Sequence, residues 1–191
     1  MTGAPPGAPV SRGGTLVEGA HELAADDPAL VGPLLTEAAY REVLASDLGR
    51  FYRPGDERDL RASWRSTLMD LDVVRRAAAQ AGSRVALALF PSVLQVDAAL
   101  RATTVARVST SLRYRGLSAA EIDPDLPNAL LREFARTHAI PLADLTPAFV
   151  AAHAAGTEPL YKQNDNHWTP RGNRVAAGVL TPFLASLVCP H

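Results

Sequence analysis

Val85-Ala86-Leu87-Ala88-Leu89-Phe90, closed by Pro91 and set off upstream by Gly82, is the stretch that decides the fold. Alternate residues of a strand point to opposite faces, and here both faces are apolar. The run therefore predicts a strand covered on both sides, as a central strand of a parallel sheet is. Just before it, Leu60, Trp64, Leu68, Leu71, Val74 and Ala78 recur at steps of three and four. That spacing predicts an amphipathic helix over about residues 59–81, with Gly82 suited to its C-terminal cap. A helix leading into a two-faced apolar strand is half of a β-α-β unit, so the expected class is α/β with a parallel sheet.

Working outward, Val93 to Val108 reads as partly helical and residues 109–126 as an irregular excursion. A helix is expected from about Pro127 to His138 on Leu130, Leu131 and Phe134, followed by a short second strand from Ile140 to Leu145. Thr146-Pro147 is a helix start, an N-cap followed by a favoured first-turn proline, and Gly156 is its stop. Thr169-Pro170 repeats the start signal. Val175, Val179, Phe183 and Leu187 give the last helix its buried stripe, and Pro182 predicts a bend. Upstream, Leu34, Leu35, Ala38, Ala39 and Val43 fit a helix face, and Arg53-Pro54-Gly55-Asp56 breaks the chain. Residues 1–14, rich in proline and glycine, read as a flexible tail, leaving 15–191 as one domain.

Composition narrows the classes. The 191 residues are 47% apolar, enough to bury a sizeable core. Nineteen basic and 20 acidic residues leave a net charge of −1, which advertises neither a nucleic-acid partner nor an anionic membrane surface. Lys162 is the only lysine among the basic residues. Cys189 stands alone, which excludes an internal disulfide framework and a cysteine-rich zinc site. No apolar run approaches the length of a membrane span and no signal-peptide core is present, so the chain as written reads as cytoplasmic.

The chemistry concentrates in Leu160-Tyr161-Lys162-Gln163-Asn164-Asp165-Asn166-His167-Trp168-Thr169-Pro170-Arg171-Gly172-Asn173. Asp165 and His167 fall in a polar loop just ahead of a capped helix. In open α/β sheets, the loops at the carboxyl ends of strands line the ligand crevice. An aspartate two residues before a histidine can accept a hydrogen bond from Nδ1, which fixes the tautomer and leaves Nε2 free as a base. The nearby helix N-terminus opposes imidazolium formation, and the Asp165 carboxylate works against that effect. The spacing equally admits ordinary loop residues, with Asp165 serving a turn and His167 packing on Trp168. A metal site is not indicated, because no third ligand accompanies the pair.

The segment resembles the C-terminal block of the SGNH (GDSL-like) hydrolases. The bacterial group it is most similar to ends in Asp-x-His-Trp-x-Pro-x-Gly followed by an alanine-containing helix. Asp165, His167, Trp168, Pro170, Gly172, Ala176 and Ala177 occupy that pattern. Val85 to Pro91 with Gln95-Val96 resembles the family's central strand and the segment after it. Ile140 to Phe149 resembles the strand and turn before the catalytic loop. The likeness covers roughly residues 60 to 188. It implies a three-layer α/β/α, flavodoxin-like fold and hydrolysis of acyl esters on a small-molecule or carbohydrate substrate, or acyl transfer in some relatives. It implies His167 as the base, Asp165 as its orienter and no cofactor.

The chain departs from the family in one large respect. The serine nucleophile belongs to a Gly-Asp-Ser block after the first strand, and Gly55-Asp56-Glu57 has glutamate in its place. The glycine and Gly-x-Asn-Asp blocks of the oxyanion hole are missing too. Ser92, at the end of the central strand, comes closest to a nucleophile's position, and reads more simply as a strand-end residue. With only one other credible strand, at 140–145, the expectation is the C-terminal part of a longer SGNH domain, incomplete on its N-terminal side. The alternative is a non-catalytic remnant or interaction module. Among other titratable groups, Glu18, His21 and Glu22 read as a solvated helix face, and Arg113, Tyr114 and Arg115 as an exposed loop. His138 and His153 read as residues near helix C-termini, and Asp144 as a cap for the turn into the helix at Pro147.

Overall fold

The computed structural model describes residues 35–53, 57–110, 118–156 and 158–188. The tail at 1–14, Glu18, His21, Glu22, Arg113, Tyr114, Arg115 and Cys189 lie outside them. The first helix, α1 (Glu37–Leu48), starts where Thr36 Oγ1 accepts from the Ala39 amide at 3.2 Å. It buries Tyr40, Leu44, Asp47 and Leu48, one face at helical spacing. The face expected from sequence is turned away: Leu35, Ala38 and Ala39 are exposed. Counting apolar residues missed it because the buried face includes a tyrosine and an aspartate.

Helix α2 (Glu57–Gln80) matches the expected periodicity in position. Leu68 and Leu71 pack toward Phe134 and Ile140, whereas Val74, expected in the buried stripe, is 56% exposed. Its end is a Schellman motif: Gly82 has φ 67°, and the Ser83 amide donates to the Ala78 carbonyl at 2.8 Å.

The next strand, β1 (Leu87–Leu89), is shorter than the six-residue apolar run. It pairs in parallel with β2 (Leu142–Asp144), in register Leu87 to Leu142, Ala88 to Ala143 and Leu89 to Asp144. Pairing continues past the strand ends, with the Leu87 amide on Pro141 O and the Leu145 amide on Leu89 O. The fold is thus mixed α/β around a two-stranded parallel sheet among the described residues. Leu87 to Leu89 are half-buried and Phe90 is 58% exposed, so the expected two-sided burial is not reached. The reason is that β1 has β2 as its one partner there, and a strand with a bare edge keeps its backbone and flanking side chains near water.

Between the strands run α3 (Val93–Val96), α4 (Ala98–Val108), a single 3₁₀ turn at Ala119–Glu121, and α5 (Leu126–Thr137). After β2 come α6 (Thr146–Ala155) and α7 (Pro170–Val188). Helices lie against both faces of the strand pair. Leu87 and Leu142 join the cluster of α2 and α5, while Ala88 and Ala143 join the larger core with Leu94, Leu145, Phe149 and Ala176. Small residues at 88, 143 and 176 let α7 come close to the sheet. As expected, Asp144 caps the turn after β2, accepting from the Thr146 amide at 2.9 Å. Its other partners are Asn128 and Arg132. Burial pushes the Asp144 carboxyl up, but these hydrogen bonds together hold it below its ordinary value. No helix among the described residues is long and apolar enough to cross a membrane.

Candidate functional site

The loop between α6 and α7 folds back on itself before it reaches the helix. The Thr169 amide donates to Leu160 O at 3.0 Å and the Lys162 amide to His167 O at 2.9 Å, pairing Tyr161 with Trp168 antiparallel. The tip of this turn needs a left-handed residue, and Asn164 supplies it at φ 50°, a region asparagine tolerates better than most. The Trp168 ring then wedges between Phe149, at 4.9 Å, and Phe90, at 5.3 Å. Anchoring Trp168 leaves its neighbour His167 turned outward.

The helix start is built on Thr169. Its Oγ1 accepts from the Gly172 amide at 3.2 Å and donates to Pro159 O at 2.8 Å. Pro170 occupies the first helical position, where no backbone donor is needed. Gly172 is required by proximity: a Cβ there would lie 2.4 Å from the Leu160 carbonyl oxygen. Ala176, one turn on, is buried in the main core. Each residue of the Asp-x-His-Trp-x-Pro-x-Gly pattern therefore has its own physical task.

His167 Nδ1 lies 2.6 Å from Asp165 Oδ1, which also accepts from the His167 backbone amide at 3.1 Å. The Asp165 side chain is 6% exposed and the His167 side chain 77%. Burial raises the Asp165 carboxyl, but the bonds from the His167 ring, the His167 amide and the Asn166 amide outweigh it and hold the group below its ordinary value. An ionised carboxylate only accepts, so Nδ1 carries a proton, and in the neutral ring the lone pair falls on Nε2. The second carboxylate oxygen, Oδ2, is buried without a hydrogen-bond partner. Nearby Tyr40 has its hydroxyl pushed up to about 12, by burial first and then by the charges of Asp165, Asp47 and Asp97.

His167 opens on a cleft of about 780 Å³ at the carboxyl end of β1, lined among others by Phe90, Ser92, Trp168, Asp47 and Arg50. Ser92, also in this cleft, is the N-cap of α3: its Oγ accepts from the Leu94 amide at 3.3 Å and donates to Asp47 Oδ2 at 3.4 Å. Sequence reading missed Asp47 and Arg50, because the segment before residue 58 carries no motif and a charge in a helix reads as solvated. Among the described residues no cluster of His, Cys, Asp or Glu could hold a metal ion. The His138 ring lies tilted against Phe134, with ring centroids 4.5 Å apart, and His153 lies 3.9 Å from Asp97. Comparison with protein-family models, curated proteins and solved structures returns no match.

Proposed function

We propose that this chain carries the base and its orienting carboxylate for acyl-ester hydrolysis, or acyl transfer, of the SGNH type. The observation that carries the reading is the 2.6 Å bond from Nδ1 of a solvent-facing histidine to a buried aspartate. It sits where a parallel strand ends in an open cleft. Nε2 takes the proton of a hydroxyl as that oxygen attacks the ester carbonyl. The imidazolium so formed is stabilised by Asp165 and returns the proton to the leaving alkoxide. Water then deacylates in a hydrolase and a second alcohol in a transferase. Two features support a three-layer α/β/α frame: the parallel strand pair and helices against both of its faces. No Gly-Asp-Ser is spelled in the 191 residues. In this proposal the nucleophile comes from outside them, from upstream coding sequence or from another chain.

The test is p-nitrophenyl acetate release. The 191-residue chain alone should give no saturable turnover above free histidine. Supplied with its nucleophile block, the protein turns over and is inhibited by a serine-directed phosphonate. There, His167→Ala abolishes turnover and Asp165→Asn lowers it by about 10⁴-fold through the wrong tautomer. Turnover that survives His167→Ala overturns the reading. Phosphonate labelling of a serine within the 191 residues, Ser92 first, overturns the assignment of the nucleophile to outside them.

A further inference from the structure

The Asp165–His167 bond is internal to the loop, so it fixes the ring relative to the loop and no more. Where the pair stands over the cleft depends on what ties the loop to the rest of the fold. Two side-chain bonds do so at the exit of β1. The Tyr161 hydroxyl donates to Pro91 O at 2.8 Å. Asn166, the residue between Asp165 and His167, donates from Nδ2 to Asp47 Oδ2 at 3.4 Å. Ser92 Oγ donates to the same oxygen, also at 3.4 Å, so one carboxylate bridges the loop and the strand exit.

Asp47 is an unusual residue for a helix face that is otherwise core. It is 7% exposed and lies beside Leu44 and Leu48 on α1. Its Oδ1 is 3.5 Å from Nη2 of Arg50, a side chain that is mostly exposed. A carboxylate so far out of water is tolerated only when donors surround it. Asn166, Ser92 and Arg50 supply them.

We propose that Asp47 is a positioning residue for the imidazole. By accepting from Asn166 and Ser92 together, it locks the backbone between Asp165 and His167 against the carboxyl end of β1, and so sets where Nε2 stands in the cleft. Its purpose rests on the hydrolase reading. The tether itself is measurable without any turnover.

The measurement is exchange with water of the Tyr161 hydroxyl proton, which crosses from the loop to Pro91 O at the exit of β1, followed by NMR on the purified chain. Local opening of the loop sets that rate, and Asp47→Ala should speed it about tenfold. Asn166→Ala should do the same, and the double variant should go no further, because both remove one interaction. Asp47→Asn should restore the native rate, since an amide oxygen still accepts from both donors. Leu44→Ala, equally deep on the same helix face, should lower stability and leave the exchange unchanged. Native exchange in Asp47→Ala and Asn166→Ala overturns the proposal, as does equal acceleration by Leu44→Ala or full additivity in the double variant. If Asp47→Ala fails to fold, Asn166→Ala decides, because Asn166 is exposed and its truncation leaves the core intact. A failed tether leaves the esterase assay standing, and a failed esterase assay leaves these exchange rates standing.

Discussion

The His167 loop and the strand pair beneath it differ in how far each is closed on itself. Between Leu160 and Gly172 most of the turns are wired locally: a two-residue bridge, a threonine cap and a left-handed asparagine. The strand pair is three residues long on each side, and β1 is half-buried. Beside it, α2 leaves Met69, Val73 and Val74 more than half exposed. Polar loops of this kind are specified by groups within about a dozen residues of each other. A sheet is specified by partners that are remote in sequence, so its completeness is set elsewhere in the chain.

The sharpest way to break that contrast is at Gly172. If the loop is as tightly wired as these contacts make it, an added methyl group cannot be absorbed, because the Leu160 carbonyl and the Trp168 Cβ both stand within 3 Å of it. Gly172→Ala should cost roughly 1–3 kcal/mol in urea unfolding and disturb the Trp168 fluorescence. Gly178, six residues along the same helix, has nothing within 4 Å of a built Cβ. Gly178→Ala should therefore stabilise by about 0.5–1 kcal/mol through helix propensity alone. Equal effects at the two glycines would mean the loop yields as easily as open helix.

A gentler probe is acid. Asp165 and Asp144 both titrate below their ordinary value in the fold. A carboxylate depressed on folding adds stability above its unfolded pKa, and that stability is lost as pH falls through the lower folded value. The melting temperature should thus hold from about pH 7 down to about pH 5 and fall below about pH 4. Asp165→Asn should flatten the loop's share of that fall and leave the share of Asp144. A melting curve that drops between about pH 7 and pH 5 would contradict the sign for both groups.

The sequence made some of this legible and hid the rest for physical reasons. The α2 periodicity, both strands and the start of α7 follow from apolar spacing and from a Thr-Pro pair, which act locally; at α6 the pair falls one residue inside the helix, with Leu145 at the N-cap and Asp144, not Thr146, accepting the free amide. The Asp165–His167 bond is one that a spacing of two allows. What stayed hidden was the buried face of α1. Asp47 lies there with a partner more than 100 residues away, Asn166, and no window of sequence contains both ends of such a contact. Val85 to Phe90 read as central because both faces are apolar. Apolar composition reports what a strand tolerates, whereas its burial depends on what covers it.

The smallest expected effect compares two helix ends built alike. Both α2 and α5 finish in a Schellman turn, with the Ser83 amide on Ala78 O and the Ile140 amide on Ala135 O, each at 2.8 Å. The left-handed residue is Gly82 in one, at φ 67°, and Ala139 in the other, at φ 51°. A Cβ in that region costs about 1–2 kcal/mol, and glycine gives back about 0.5–1 kcal/mol by its greater freedom in the unfolded chain. Ala139→Gly should then stabilise by about 0.5 kcal/mol, and Gly82→Ala should destabilise by a similar amount. Nothing stands within 4 Å of a Cβ built at Gly82, so the backbone dihedral alone is tested there. Thermal melts of the two variants should move in opposite directions by a few degrees at most. Shifts of the same sign would show that one of the two ends is held by its surroundings and not by its own turn.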